Sequence, residues 1–113
     1  MRLSRLREER LIAVPAQSST RRIIDGAAAR AGFSPRYVVT VNQFATLYQL
    51  VRARAGLTIV PSAAFLPSDD SDLVARPLTH PRISRDLGVI SLSGREMPTA
   101  AEALLALLRS HAA

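Results

Sequence analysis

Residues 41–61, VNQFATLYQLVRARAGLTIVP, leave the fold the fewest choices. They read as loop, helix, glycine, strand, proline. Asn42 is placed to cap the helix, since a side-chain oxygen there accepts one of the unpaired amides of the first turn. Phe44, Leu47, Tyr48 and Val51 recur at helical spacing and make one apolar face, with Leu50 at its border. Gly56 stands where helices commonly stop in a left-handed residue. Leu57 to Val60 is short and apolar or β-branched, as a buried strand is. Pro61 has no N–H to continue a ladder. This is half of a parallel α/β unit. In open sheets of that kind ligands sit beyond the carboxyl ends of the strands, where helix amino-termini point. The expectation is a small-molecule pocket at that end.

The residues before this stretch supply the other half. Residues 1–10 are charged, with Leu3 and Leu6 as the only apolar anchors, and read as a short helix or a linker entering the domain. Leu11-Ile12-Ala13-Val14 is a short apolar run closed by Pro15 and reads as a buried strand. A helix follows over about residues 20–31, with Ser18 or Ser19 as its N-cap and Gly32 as its stop. Ile23, Ile24, Ala27, Ala28 and Ala31 form its buried face. Arg36 to Val41 is rich in β-branched residues and reads as the next strand. Strand, Ser/Thr turn, helix and strand thus fit within about 30 residues, as a βαβ crossover requires.

Beyond Pro61 the pattern loosens. Residues 62–66 suit one helical turn, and Pro67 to Asp72 is acidic and rich in breakers, hence an exposed loop. Leu73 to Leu78 reads as a strand that Pro77 confines to an edge. Leu87 to Leu92, LGVISL, reads as another strand. The last helix, 98–111, starts on Pro98 and the capping box Thr99-x-x-Glu102. Leu104, Leu105 and Leu108 lie on one of its faces. The organisation expected is a lead-in over 1–10, one α/β lobe over 11–95 and a terminal helix over 96–113. The sheet is mainly parallel, with helices on both faces.

Several classes of chemistry are excluded by composition. There is no Cys and only two His, His80 and His111, so neither a disulfide framework nor a thiolate or histidine metal site is expected. There is no Lys, so no phosphate-binding loop of the Gly-x-x-x-x-Gly-Lys kind, and the first turn lacks the glycines of a dinucleotide fingerprint. Ser18 or Ser19 with His80 or His111 assembles no nucleophile, base and orienting group, and no Gly-x-Ser-x-Gly elbow is present. Neither an enzyme nor a cofactor is expected. No apolar run approaches the roughly 20 residues of a membrane span, and no signal-peptide core follows the charged amino-terminus. A cytoplasmic protein is the default.

The formal charge is +6, all of the basic residues being Arg. Nucleic-acid binding is the sharp interpretation of that excess. Against it, the arginines are spread along the chain, no basic stripe alternates with aromatics, and no helix-turn-helix pair is visible.

The polar residues at the strand-to-helix bends carry the functional argument. Ser18, Ser19 and Thr20 put hydroxyls and free amides at a helix start, where an anion gains hydrogen bonds and about 0.3–1 kcal/mol from the helix dipole. Plain capping is the alternative use, but two Ser and a Thr exceed what one cap requires. Arg21 and Arg22 add positive charge. Asn42, Gln43 and Phe44 open the next helix, where amides can read a ligand's polar group and an aromatic can cover its apolar body; Asn42 as cap and Phe44 as core is the plainer alternative.

Four segments together resemble the carboxy-terminal part of the effector-binding domain of LysR-type transcriptional regulators: residues 11–35, 41–65, 73–78 and 85–109. The resemblance implies one lobe of a type 2 periplasmic-binding-protein-like fold, with residues 11 to about 92 in the second lobe. The helix 98–111 would belong to the first lobe. It implies an effector cleft lined by Ser18, Ser19 and Thr20, by Asn42, Gln43 and Phe44, and by Val60, Pro61 and Ser62. The implied ligand is a small, often anionic metabolite. The resembling residues hold no counterpart of the family's winged helix-turn-helix, so DNA would be engaged only indirectly. They also lack one wall of the cleft and the sheet beneath the last helix. A truncated lobe with that helix face bare is expected to form a homo-oligomer or to pair with a full-length regulator.

Overall fold

The computed structural model describes residues 1–65 and 72–111. Three strands, β1 (Arg10–Ala13), β2 (Arg36–Thr40) and β3 (Leu57–Thr58), form a parallel sheet in the order β2-β1-β3. Two helices connect them, α1 (Ser19–Arg30) and α2 (Phe44–Arg52), and a third, α3 (Thr99–His111), ends the described chain. The class is α/β, a parallel sheet flanked by helices. Strand β1 is central: Leu11, Ile12 and Ala13 are all buried although successive side chains point to opposite faces. The crossovers, β1 to β2 and then β2 past β1 to β3, run in opposite directions across the sheet, so the right-handed rule sends α1 and α2 to opposite faces. Strand β2 is an edge, with Val38 and Val39 exposed.

The first helix follows its sequence signals. Ser18 is the N-cap in an extended conformation; its hydroxyl accepts the Arg21 N–H at 3.1 Å and donates to the Pro15 carbonyl at 2.8 Å. At the far end Gly32 takes φ +88°, and the amides of Gly32 and Phe33 reach back to the Ala29 and Ala28 carbonyls at 3.1 and 3.0 Å. That is a Schellman motif on a glycine, which has no Cβ to clash in the left-handed region.

The second helix departs from expectation at both ends. Gln43, not Asn42, occupies the N-cap position, and it makes no side-chain cap bond. Asn42 lies one residue upstream of the position from which a side chain reaches a first-turn amide. At the other end the left-handed residue is Arg54, φ +61°, not Gly56. The amides of Arg54 and Ala55 bond the Val51 and Leu50 carbonyls, each at 3.0 Å, which is the same Schellman geometry on a residue with a Cβ. Gly56 has a different job. A Cβ there would sit 2.5 Å from the Arg10 carbonyl oxygen, so the glycine lets the chain pass against β1 as β3 begins.

Strand β3 is half as long as expected. Only Leu57 and Thr58 pair, opposite Leu11 and Ile12, and the Thr58 hydroxyl adds a bond to the Ile12 carbonyl at 2.9 Å. Beyond that register the two chains head toward Pro15 and Pro61, neither of which has an N–H for a ladder. Ser62–Ala64 forms a 3-10 turn. The expected helical turn at Leu66 and the acidic loop at residues 67–71 lie outside the described residues. Asp72, the last residue of that loop, pairs with Arg52 at 3.5 Å in an exposed setting.

Both strands expected in the carboxy-terminal half are absent. Residues 73–78 make no ladder; Pro77 removes a donor, and the pairing that forms is a single parallel bridge between Arg2 and Thr79. Leu3 N–H bonds the Thr79 carbonyl at 3.0 Å and Thr79 N–H the Met1 carbonyl at 2.9 Å. This bridge helps seal a small core in which Leu3 and Leu6, on a 3-10 turn, and Ala27 are packed by Phe33, Ile59, Leu78 and Ile83. Residues 87–92 are exposed and pair with no strand among the described residues. In α3 the first helical residue is Thr99, with the Glu102 N–H on the Pro98 carbonyl at 3.0 Å. Thr99 is thus one position past the N-cap of the expected capping box. The Leu104, Leu107 and Leu108 side chains of α3 are half exposed.

Candidate functional site

Because the strands are parallel, the bends after β1, β2 and β3 all emerge at one end of the sheet. Those bends carry Ser18 to Thr20, Asn42 to Phe44, and Val60 to Ser62 in turn. The first two groups approach that end from opposite faces, since α1 and α2 do. The nine residues form a rim around the strand ends, and Ser19, Asn42, Gln43, Phe44 and Ser62 are exposed on it. Val60 and Pro61 are half-buried.

Each group has a distinct local state. The Ser18 hydroxyl is committed on both sides, to the Arg21 amide and the Pro15 carbonyl. Ser19, the first residue of α1, faces solvent. The Thr20 hydroxyl accepts from the Arg85 guanidinium at 3.1 Å, a contact across 65 positions of sequence. At α2, Phe44 is 42% exposed and stacks on Tyr48 with ring centroids 6.2 Å apart. Tyr48 meets Phe65 edge-on at 6.1 Å, and its hydroxyl donates to the Ala64 carbonyl, which fastens the 3-10 turn after β3 to α2. Burial raises the Tyr48 pKa above its ordinary value.

Arg21 turns inward. Its guanidinium lies 3.9 Å over the Tyr37 ring, donates to the Val14 carbonyl at 3.2 Å, and pairs with Asp25 at 3.2 Å one helical turn on. The Tyr37 hydroxyl donates to the other Asp25 oxygen at 2.5 Å. Desolvation, then the Asp25 hydrogen bond, push the Tyr37 pKa far upward. The positive charge of Arg21 is therefore spent on Asp25, and Arg85 with the exposed Arg22 brings net charge to the start of α1. Sequence reasoning passed over Asp25 and Tyr37. The i, i+4 spacing of Arg21 and Asp25 is the one signal that points to them. Nothing in the sequence signals that Arg85 returns to Thr20.

A small pocket lined by Val14, Arg21, Ile24, Tyr37 and Ile59 among others holds about 10 Å³, room for about one water. A wider hollow of about 290 Å³ lies along α3 between Met97, Glu102, Leu105, Ala106 and Arg109. Among those residues no group of three or more His, Cys, Asp or Glu could hold a metal. No helix there is long and apolar enough to cross a membrane.

The family model described as LysR substrate binding domain matches residues 1–113. A Shigella flexneri protein described as the uncharacterized HTH-type transcriptional regulator YfeR is 36% identical over 92 residues. That alignment takes in 81% of this chain and 30% of the Shigella protein, so the chain spans about a third of the length of the curated relative it matches. No solved structure matches.

Proposed function

Since the chain belongs to the LysR substrate-binding domain family, whose members are regulators and not enzymes, we propose that it is the effector-binding portion of a transcriptional regulator. The effector is a small anionic metabolite held on the rim by Ser19, Thr20, Asn42, Gln43, Phe44 and Ser62, with Ser18, Val60 and Pro61 shaping the shelf beneath. What supports an anion is the meeting of the Thr20 hydroxyl and the Arg85 guanidinium at 3.1 Å, beside the Ser19 and Thr20 amides at the start of α1, the Arg21 and Arg22 amides being taken up by Ser18. Residues 11–95 act as the second lobe and 96–113 as a helix of the first, with the opposite cleft wall contributed by residues outside this chain. A ligand that binds the closed arrangement better than the open one shifts the equilibrium between them. Sequence-specific DNA recognition belongs to a winged helix-turn-helix domain outside these residues, and the setting is the cytoplasm.

The test is a thermal-melt panel of di- and tricarboxylates and phosphorylated metabolites. A ligand at about 100 times its Kd adds about 2.7 kcal/mol to stability, roughly ten degrees for a domain of this size. Ser19→Ala should abolish the shift. A panel with no shift, or one that survives Ser19→Ala, counts against this assignment.

A second reading has its own support. Leu104, Leu107 and Leu108 leave an apolar helix face uncovered among the described residues, which suits a module that pairs with an intact regulator. Native mass spectrometry of the chain mixed with a full-length family member would then show a mixed oligomer, whatever metabolite is present.

A further inference from the structure

Six of the fifteen arginines, scattered in sequence, are gathered by the fold at one end of the sheet. Parallel strands begin at one end of the sheet, and the helices between them run back and finish at that same end. Arg10 and Arg36 open β1 and β2 and stand directly opposite each other in the ladder. Arg30 lies in the last turn of α1 and Arg52 in the last turn of α2. Arg54 follows α2, two residues before the glycine that passes against the Arg10 carbonyl. Arg7 leads into β1 with its guanidinium 5.6 Å from the centre of the Phe33 ring, just past α1. Against these six cations stand Glu8, Glu9 and Asp72, the last paired with Arg52.

Part of this charge has a plain structural use. Arg30 and Arg52 complement the negative ends of helix dipoles, and Arg7 stacks on an aromatic ring. Arg10 and Arg36 have no such use. Like charges directly opposite on neighbouring strands destabilise a sheet. Both residues are exposed, and the ion pairs among the described residues are Arg21 with Asp25 and Arg52 with Asp72, so neither Arg10 nor Arg36 is in one. An external anion would relieve their repulsion.

We infer that this end of the sheet, opposite the effector rim, is a phosphate-contacting surface for duplex DNA. Guanidinium groups match phosphate oxygens two to one. No helix or ribbon among the described residues projects from this end to read base edges, so the contact is to the backbone and independent of sequence. The choice of DNA over an acidic protein rests on the regulator assignment above; the convergence of the arginines does not.

The experiment is a fluorescence-anisotropy titration of the whole chain against a duplex of about 25 base pairs at several salt concentrations. Binding should weaken steeply with salt. The pair Arg10→Gln and Arg36→Gln should lower the log–log salt slope by about 1.8, at about 0.9 for each phosphate no longer neutralised, and weaken binding more than tenfold at low salt. Arg36→Gln alone, on an exposed edge strand, should give about half that change and guards against misfolding of the double variant. The control pair Arg95→Gln and Arg109→Gln removes the same charge elsewhere and should leave the slope as it was. Equal losses in both pairs, no binding by the unmodified chain, or equally tight binding of polyglutamate at matched charge would each overturn the inference. None of these outcomes depends on whether metabolites shift the melting temperature.

Discussion

Leu11-Ile12-Ala13-Val14 and Leu87 to Leu92 are both short apolar runs, yet they end up in opposite states. In β1, Leu11, Ile12 and Ala13 are buried between two neighbouring strands and two helices. In 87–92, Leu87 is 87% exposed and Ile90 98% exposed, with no strand beside them among the described residues. The difference is not one of local preference. A strand is stabilised by the ladder and by the faces that cover it, so its propensity is mostly a statement about neighbours. Strand β1 has neighbours within 50 residues of chain on both sides; 87–92 has none to pair with among the described residues. The helices repeat the contrast: Leu47 of α2 is fully buried, whereas Leu104 of α3 is more than half exposed.

The contrast is broken most directly by truncating one leucine in each helix. Leu47→Ala removes a fully buried side chain from between α2 and the sheet and should cost about 3 kcal/mol. Leu104→Ala should change the stability of the isolated chain by less than about 0.5 kcal/mol. Urea denaturation of the two variants measures both. If Leu104→Ala costs as much as Leu47→Ala, α3 is covered in solution, and the chain is an oligomer through that face. A second, smaller effect is expected at the lobe's tightest backbone passage. Gly56→Ala places a methyl 2.5 Å from the Arg10 carbonyl oxygen, and relieving that overlap by a shift of β3 should cost about 2 kcal/mol. Hydrogen exchange would report it as faster exchange at Thr58 and the neighbouring β1 amides, with the α3 amides unchanged.

The same division explains what could be read from the residues alone. The βαβ half was legible because its signals are local. Alternation of apolar runs with a helical face, Ser18 before α1 and Gly32 after it all act within a few positions. Where a feature depended on a remote partner, local reasoning erred or was silent. Gly56 looks like a helix stop until Arg10 is brought against it. Residues 73–78 look like a strand until Met1 and Leu3, rather than a sheet edge, take up Thr79. The strand at 87–92 presupposes a neighbour that is not among the described residues. At the rim, Ser18 as a cap was visible from spacing, but the Arg85 contact to Thr20 and the Tyr37 bond to Asp25 span 65 and 12 positions and leave no periodic trace.

Helices α1 and α2 give the finest version of the comparison, because they end in the same motif on different residues. Gly32 adopts φ +88° at no steric penalty, whereas Arg54 holds φ +61° with a Cβ in place. A left-handed residue with a side chain costs about 1–2 kcal/mol, and a glycine returns about 0.5–1 kcal/mol of that as extra freedom in the unfolded chain. Arg54→Gly should therefore raise stability by about 0.5–1 kcal/mol, and Gly32→Ala should lower it by a similar amount. The two variants are expected to move the melting temperature in opposite directions by a few degrees. A fall in melting temperature for Arg54→Gly would mean that the Arg54 side chain contributes more to this corner than its backbone strain removes. That outcome would weaken the basic-surface inference too, because a side chain held by its own fold is less free to meet a phosphate.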